Sequence, residues 1–165
     1  MLDTGTTAPE FSVPGTDPDG GDPAPYTLSA NREEGFALLD FYLFDFHPAC
    51  TADMCSLHDL SWFDLNADLS VVGISTDGVF SHGVFAEEEG LDFPLLSDSD
   101  GSVAESFDVL HDEVQGHKRV AKRAVSLVDR DRTVRYARSA EEGGLQPEWD
   151  EVKAAVESLP TYGIQ

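Results

Sequence analysis

From Phe36 to Phe44 the chain reads Phe-Ala-Leu-Leu-Asp-Phe-Tyr-Leu-Phe, a nearly continuous apolar and aromatic run. Such a run predicts a strand buried on both faces. Past Cys50 the pattern changes: Met54, Leu57, Leu60 and Phe63 recur every three residues, close enough to the helical period to make one buried stripe. Residues 69–75 predict a second buried strand. Residues 80–89 predict a helix closed by Gly90. A short strand at 93–96 and a short helix at 101–107 follow. Residues 121–128 and 133–137 then read as an antiparallel hairpin turning through Asp129-Arg-Asp-Arg. From Pro147 the apolar positions Trp149, Val152, Val156 and Leu159 fall on one helical face, with the proline suited to a first turn.

The order is βαβα followed by ββα. A parallel unit feeding an antiparallel hairpin and a closing helix is an α/β arrangement, a mixed central sheet with helices on both faces, and it is the order of the thioredoxin-like fold. Residues 14–32 are rich in Gly, Pro and Asp and show no apolar period, which predicts a surface loop. Too little chain precedes that loop to build a second core, so residues 1–165 read as one domain.

Composition narrows the function. A hydrophobic fraction of 41% with ten Phe is that of a folded chain, while 10 basic against 32 acidic residues give a net charge of -22. Nucleic acid and anionic membranes are therefore poor partners. Acid at this density on a folded surface is tolerable where the Debye length shrinks to about 3 Å, in molar salt, and predicts a protein of a salt-rich cytoplasm. The first residues carry neither a basic nor an apolar leader pattern, and no stretch approaches the roughly 18 apolar residues of a membrane span; a soluble, cytoplasmic protein is expected. Eight of the ten basic residues lie between Lys118 and Arg138, against Asp129 and Asp131. Pairing with the acidic surface of the same molecule is the expected use of that cluster.

Two cysteines, Cys50 and Cys55, favour redox or metal chemistry over a disulfide framework. Cys50 falls where a helix should open, and free amide groups and the helix dipole there favour a thiolate, so it is the natural nucleophile. In a continuous helix Cys55 would lie about 140° around and about 7.5 Å along the axis, beyond the roughly 4.4 to 6.8 Å Cα separation of a disulfide. Joining the two requires the first helical turn to unwind.

The segment Phe41-Tyr-Leu-Phe-Asp-Phe-His-Pro-Ala-Cys50-Thr-Ala-Asp-Met-Cys55 resembles the peroxiredoxins of the bacterioferritin-comigratory or Q type, whose signature runs Tyr-Pro-x-x-x-Thr-Pro-Gly-Cys-Thr with a second cysteine five residues on. Ala8-Pro-Glu-Phe-Ser-Val13, Gly73-Ile-Ser-Thr-Asp77, residues 85–98 and Arg123-Ala-Val-Ser-Leu-Val-Asp129 resemble further parts of that family in order and spacing. The resemblance implies a thiol-dependent peroxidase acting on hydrogen peroxide and small organic hydroperoxides. By it, Cys50 becomes a sulfenic acid, Cys55 condenses with it to a disulfide, and a thioredoxin-like reductant resets the pair. It makes Arg123 the cation that stabilises the thiolate and polarises the O–O bond. No metal, flavin or nucleotide is implied, and the chain would be a monomer or homodimer. The family's Pro and Thr are here Leu43 and His47; the His47 imidazole could take over the hydrogen bond of the missing hydroxyl, and Thr51 is a second candidate polar group of the pocket.

Two other readings use the same residues. His47, Cys50, Cys55 and His58 could be zinc ligands, but one short helical segment cannot readily wrap a tetrahedron. His82, His111 and His117 form no ligand spacing. A disulfide oxidoreductase would share the fold but normally carries Cys-x-x-Cys and a Pro where this chain has Lys122-Arg123. In its favour, Asp40 interrupts the buried strand, where burial should raise its pKa and suit it to moving protons.

Overall fold

In the computed structural model, which describes residues 1–30, 35–58, 69–139 and 149–158, the apolar run at Phe36 forms a central strand with every residue buried. In chain order the strands and helices are β1 (Ser12–Gly15), β2 (Ala24–Thr27), β3 (Phe36–Phe41), α1 (Pro48–His58), β4 (Leu69–Ser75), α2 (Val79–Glu89) and β5 (Leu95–Ser97). They continue with α3 (Ser102–Ser106), β6 (Leu110–Val114), β7 (His117–Ala121), β8 (Ala124–Val128), β9 (Val134–Ser139) and α4 (Trp149–Glu157).

A seven-stranded sheet runs β2-β1-β5-β4-β3-β8-β9. In it β3 pairs parallel with β4, from Phe36 opposite Leu69 to Phe41 opposite Ile74, and antiparallel with β8. The expected mixed sheet is therefore present. Alternation along β3 sends Ala37, Leu39 and Phe41 to a cluster with Val103 and Ala104 of α3, and Phe36 and Leu38 to one with Met54, Leu57, Phe85, Val152 and Val156 from α1, α2 and α4. Helices thus cover both faces. Cys50 belongs to the second cluster. Gly73 in β4 permits this packing: a Cβ there would stand 2.8 Å from Leu95 Cδ2 and 3.3 Å from Met54 Sδ.

Several elements match their expected positions. β4 spans the predicted residues, and α2 ends at Gly90 in the left-handed conformation with φ 67°. Met54 and Leu57 are buried on α1, as are Val152 and Val156 on α4. Leu60, Phe63, Pro147 and Leu159 lie outside the described residues. Among the described residues no helix is long and apolar enough to cross a membrane.

Three differences have physical causes. The segment 14–32, read as a loop, contributes the end of β1 and all of β2, which pair from Ser12 opposite Thr27 to Gly15 opposite Ala24. Pro14 and Pro25 face each other there, and they hid the strands because a proline is tolerated at a sheet edge. The hairpin β6-β7 was not anticipated. Its residues are largely polar and half-exposed, and its turn is Gln115-Gly116, both at positive φ, without an Asn-Gly signal. Ala121 consequently ends β7, and Lys122 and Arg123 form a break before β8. Among the described residues, Lys118 pairs with Glu113, Arg119 with Glu105, Arg123 with Asp53, Arg135 with Asp129 and Arg138 with Glu151, as internal compensation requires.

Candidate active site

β3 delivers the chain at Phe41 into a tight turn of residues 42–47 that opens α1. The His47 carbonyl accepts the first helical hydrogen bond, from the Thr51 amide at 2.8 Å, and Pro48 occupies the first helical position, where no N–H is needed. His47 Nδ1 accepts the Ala49 amide at 3.2 Å. His47 is thus the cap of the helix. An Nδ1 that accepts must be unprotonated, so this bond belongs to the neutral ring.

Cys50 follows in the first turn with no solvent exposure. Its Sγ accepts the Leu43 amide at 3.3 Å, and the neighbouring Phe44 amide, also from the preceding turn, favours its thiolate form. One helical turn further on, the buried Asp53 accepts Nε and Nη2 of Arg123 on a single oxygen, Oδ2, at 2.8 and 2.6 Å. Arg123 is 5% exposed. It sits in the break before β8, not on a surface strand. Asp53 Oδ1 and, on β3, Asp40 Oδ2 are buried without a hydrogen-bond partner among the described residues.

These contacts set the electrostatics. Burial pushes the Cys50 thiol up; the amides of Phe44 and Leu43 pull it down, Asp53 pushes it up, and Arg123 pulls it down least of all. The net direction is upward. This corrects the expectation that the helix start alone favours thiolate: the sulfur is dry, and the Arg123 charge is largely committed to Asp53. Burial also raises Asp53 against the hydrogen bond and charge of Arg123 and the charge that His47 carries when its ring is protonated. Asp40 is held well above the carboxylate range by burial and then by Asp53, against Arg123.

Cys55 lies farther along the same unbroken helix, half-buried, and its Sγ donates to Glu89 Oε2 of α2 at 3.3 Å. The two cysteines are not joined in a disulfide. Of the predicted site residues, Cys50 and Arg123 are brought together through Asp53, His47 crowns the first turn, and the half-buried Thr51 adds its amide to the helix. The zinc reading gains no support: His47 Nδ1 is occupied by the cap. The clustered ligand atoms among the described residues belong instead to Asp45, Asp77 and His82. Asp53 was missed by sequence reasoning. Its signal was present, because a carboxylate three residues after Cys50 shares its helix face and a buried arginine needs a counter-ion.

A thioredoxin-like sheet that presents a dry cysteine at a helix start, beside a buried arginine and with a second cysteine on the same helix, defines a thiol redox enzyme. The model of the AhpC/TSA family matches residues 4–137. Peroxiredoxin Bcp of Bacillus subtilis is 30% identical over 155 residues, covering 92% of this chain and 87% of that protein. Peroxiredoxin Bcp of Escherichia coli is 39% identical over 108 residues, covering 66% and 65%. The crystal structure of peroxidoxin BcpB from Mycobacterium tuberculosis superposes with a TM-score of 0.82 at 32% identity, covering 97% of this chain and 99% of that one. The chain belongs to the AhpC/TSA family and is a thiol-dependent peroxidase of the peroxiredoxin class.

Proposed function

We propose that Cys50 is the peroxide-reacting sulfur and Cys55 its resolving partner in an intramolecular cycle. The observation that carries this reading is Cys50 Sγ, fully buried at the start of α1, held by the Leu43 amide and standing one turn from the Asp53–Arg123 pair. As thiolate, Cys50 attacks the distal oxygen of a hydroperoxide. The O–O bond breaks, the sulfur becomes a sulfenic acid, and the departing alkoxide or hydroxide takes up a proton. Arg123 favours both the thiolate and the negative oxygen that develops.

Cys55 Sγ then attacks the Cys50 sulfur. The S–O bond breaks, a disulfide forms, and the leaving hydroxide departs as water with the proton of Cys55. Glu89, already in contact with that thiol, is the acceptor at hand. Both cysteines lie on one continuous helix, so the first turn unwinds to bring Cys50 to Cys55. An external dithiol of thioredoxin type restores the pair. Full burial of Cys50 suits hydrogen peroxide and small organic hydroperoxides as substrates. His47 acts on the sulfur through the helix turn it caps, and Thr51 is the second polar group of the pocket. Residues 1–165 act as one domain, as a monomer or homodimer in a cytoplasm that keeps thiols reduced, and no cofactor enters the cycle.

The test is one equivalent of hydrogen peroxide added to reduced protein in molar salt, followed by thiol count and intact mass. Wild type loses two thiols and two mass units, Cys55→Ser stops at a sulfenic acid, and Cys50→Ser is inert. Equal oxidation of all three forms would remove the assignment.

A further inference from the structure

His82 lies on α2 and is wholly buried. Its Nε2 is 2.9 Å from the Leu96 carbonyl oxygen, which can only accept, so that nitrogen carries a proton. Its Nδ1 lies 2.9 and 2.8 Å from Oδ1 and Oδ2 of Asp45, whose side chain is 1% exposed. With Asp45 ionised, both ring nitrogens donate, and the two residues form a buried imidazolium–carboxylate pair. Tyr42 Oη donates to Asp45 Oδ1 at 2.7 Å, and Ser81 Oγ donates to Oδ2 at 2.8 Å. The Asp45 amide in turn donates to Asp77 Oδ2 at 2.8 Å, which also receives Ser75 Oγ at 2.7 Å. Hydrogen-bond donors thus occupy both oxygens of Asp45 and Oδ2 of Asp77.

Asp45 occupies the middle of the 42–47 turn. Just before it, separated by Phe44, stands Leu43, whose amide donates to Cys50 Sγ; just after it, beyond Phe46, stands His47, the cap of α1. Between Asp45 and His47, Phe46 adopts φ 68°, a left-handed conformation that a side chain of its size rarely takes. Such a backbone persists only where its surroundings over-determine it. Here they do so from both sides: Asp45 is clamped by the hydrogen bonds above, and the Phe46 ring packs edge-on against Phe85 of α2 at 5.1 Å.

We propose that His82 is a positioning residue for the peroxidase reaction: as the counter-ion of Asp45 it fixes the turn that presents the Leu43 amide to Cys50 Sγ. The inference rests on Cys50 as the nucleophile. Loss of His82 leaves a buried carboxylate without its cation, and the turn that must move to hydrate it is the one holding the sulfur. Tyr42 and Asp77 are the other titratable groups in contact with this pair, and both sit on the sheet side of the turn.

The experiment compares wild type, His82→Gln, His82→Gln with Asp45→Asn, Tyr42→Phe and Cys50→Ser. The readouts are the second-order rate of sulfenic acid formation with hydrogen peroxide, the thiolate titration of Cys50 by ultraviolet absorbance, and the far-ultraviolet circular dichroism. His82→Gln is expected to react at least about tenfold more slowly, with its titration displaced to higher pH and its secondary structure intact. Adding Asp45→Asn, which needs no counter-ion, is expected to return the rate to within about threefold of wild type. A His82→Gln protein with wild-type rate and titration, lower only in melting temperature, overturns the inference. So does a double variant as slow as the single one. If His82→Gln does not fold, Tyr42→Phe decides, because it deletes only one donor to Asp45: a slower reaction with a raised titration supports the inference, and wild-type behaviour overturns it. Peroxide consumption persisting in Cys50→Ser removes the nucleophile assignment and the inference with it. Inert Cys50→Ser beside unaltered His82→Gln removes the inference alone.

Discussion

Replacing Asp53 by Asn should make Cys50 more acidic and the protein less stable, two effects of opposite worth from one carboxylate. Asp53 and Cys50 are three residues apart on α1, which places their side chains about 5–6 Å apart. Unit charges at that distance repel by about 3 kcal/mol at an effective dielectric of about 20. That corresponds to roughly two pKa units for the thiol at about 1.36 kcal/mol each. Burial raises the Asp53 pKa against the pull of Arg123, so the repulsion is fullest on the alkaline side. The substitution also frees the Arg123 charge, now held by two bonds to Asp53 Oδ2, to act on the sulfur. A fall of about one unit or more in the Cys50 titration is the expected result. Stability moves the other way. Removing one partner of a buried ion pair costs about 3–5 kcal/mol, and about 2–3 kcal/mol is expected here because the Asn carbonyl still accepts from the guanidinium. Guanidinium unfolding and thiolate absorbance titration read the two effects separately. A Cys50 titration that stays in place or moves upward in Asp53→Asn would refute the claim that Asp53 holds the arginine back from the thiol.

Asp40→Asn should stabilise the protein increasingly as pH rises. The folded-state pKa of Asp40 lies well above its unfolded value, so its contribution is full below the ordinary carboxylate range and is lost as pH climbs through the raised pKa. Asn does not ionise, and a gain of about 1–3 kcal/mol at the alkaline end, measured by denaturant unfolding from pH 4 to 9, is expected. A gap between variant and wild type that is constant over that range would contradict the burial argument. Glu89→Gln should slow disulfide formation by about tenfold or more while leaving sulfenic acid formation unchanged, as read by the two phases of a stopped-flow trace. Equal rates in both phases would dismiss Glu89 as the proton acceptor. With a net charge of -22, the melting temperature should rise between dilute and molar potassium chloride, and a flat response would end the salt-rich reading.

What the sequence revealed and concealed follows one physical division. β3, β4, α2 and the stripe of α1 were legible because burial on both faces, or on one helical face, writes a period that few other structures share. The β6-β7 hairpin was hidden because its strands are mostly polar and its Gln-Gly turn carries only half of the usual signal. At the site, Cys50 and Arg123 were singled out because their chemistry is carried by residue type. The group that donates to the sulfur is the backbone amide of Leu43, which every residue but proline possesses and no sequence displays. His47 shows the same limit. Its residue type suggested a partner for thiolate or peroxide, whereas the geometry spends Nδ1 on the helix cap. The Asp45–His82 pair joins residues far apart in sequence, and only the fold makes them neighbours.

The most direct test of the account is the second-order rate constant for sulfenic acid formation at Cys50 with hydrogen peroxide in the reduced protein, measured by stopped flow against an unstructured cysteine peptide. The buried, amide-held sulfur beside Arg123 is predicted to react at least about a hundredfold faster than the peptide, and to lose that advantage in Arg123→Gln. A rate equal to that of the peptide in both forms would contradict the claim that this site is built to reduce peroxides.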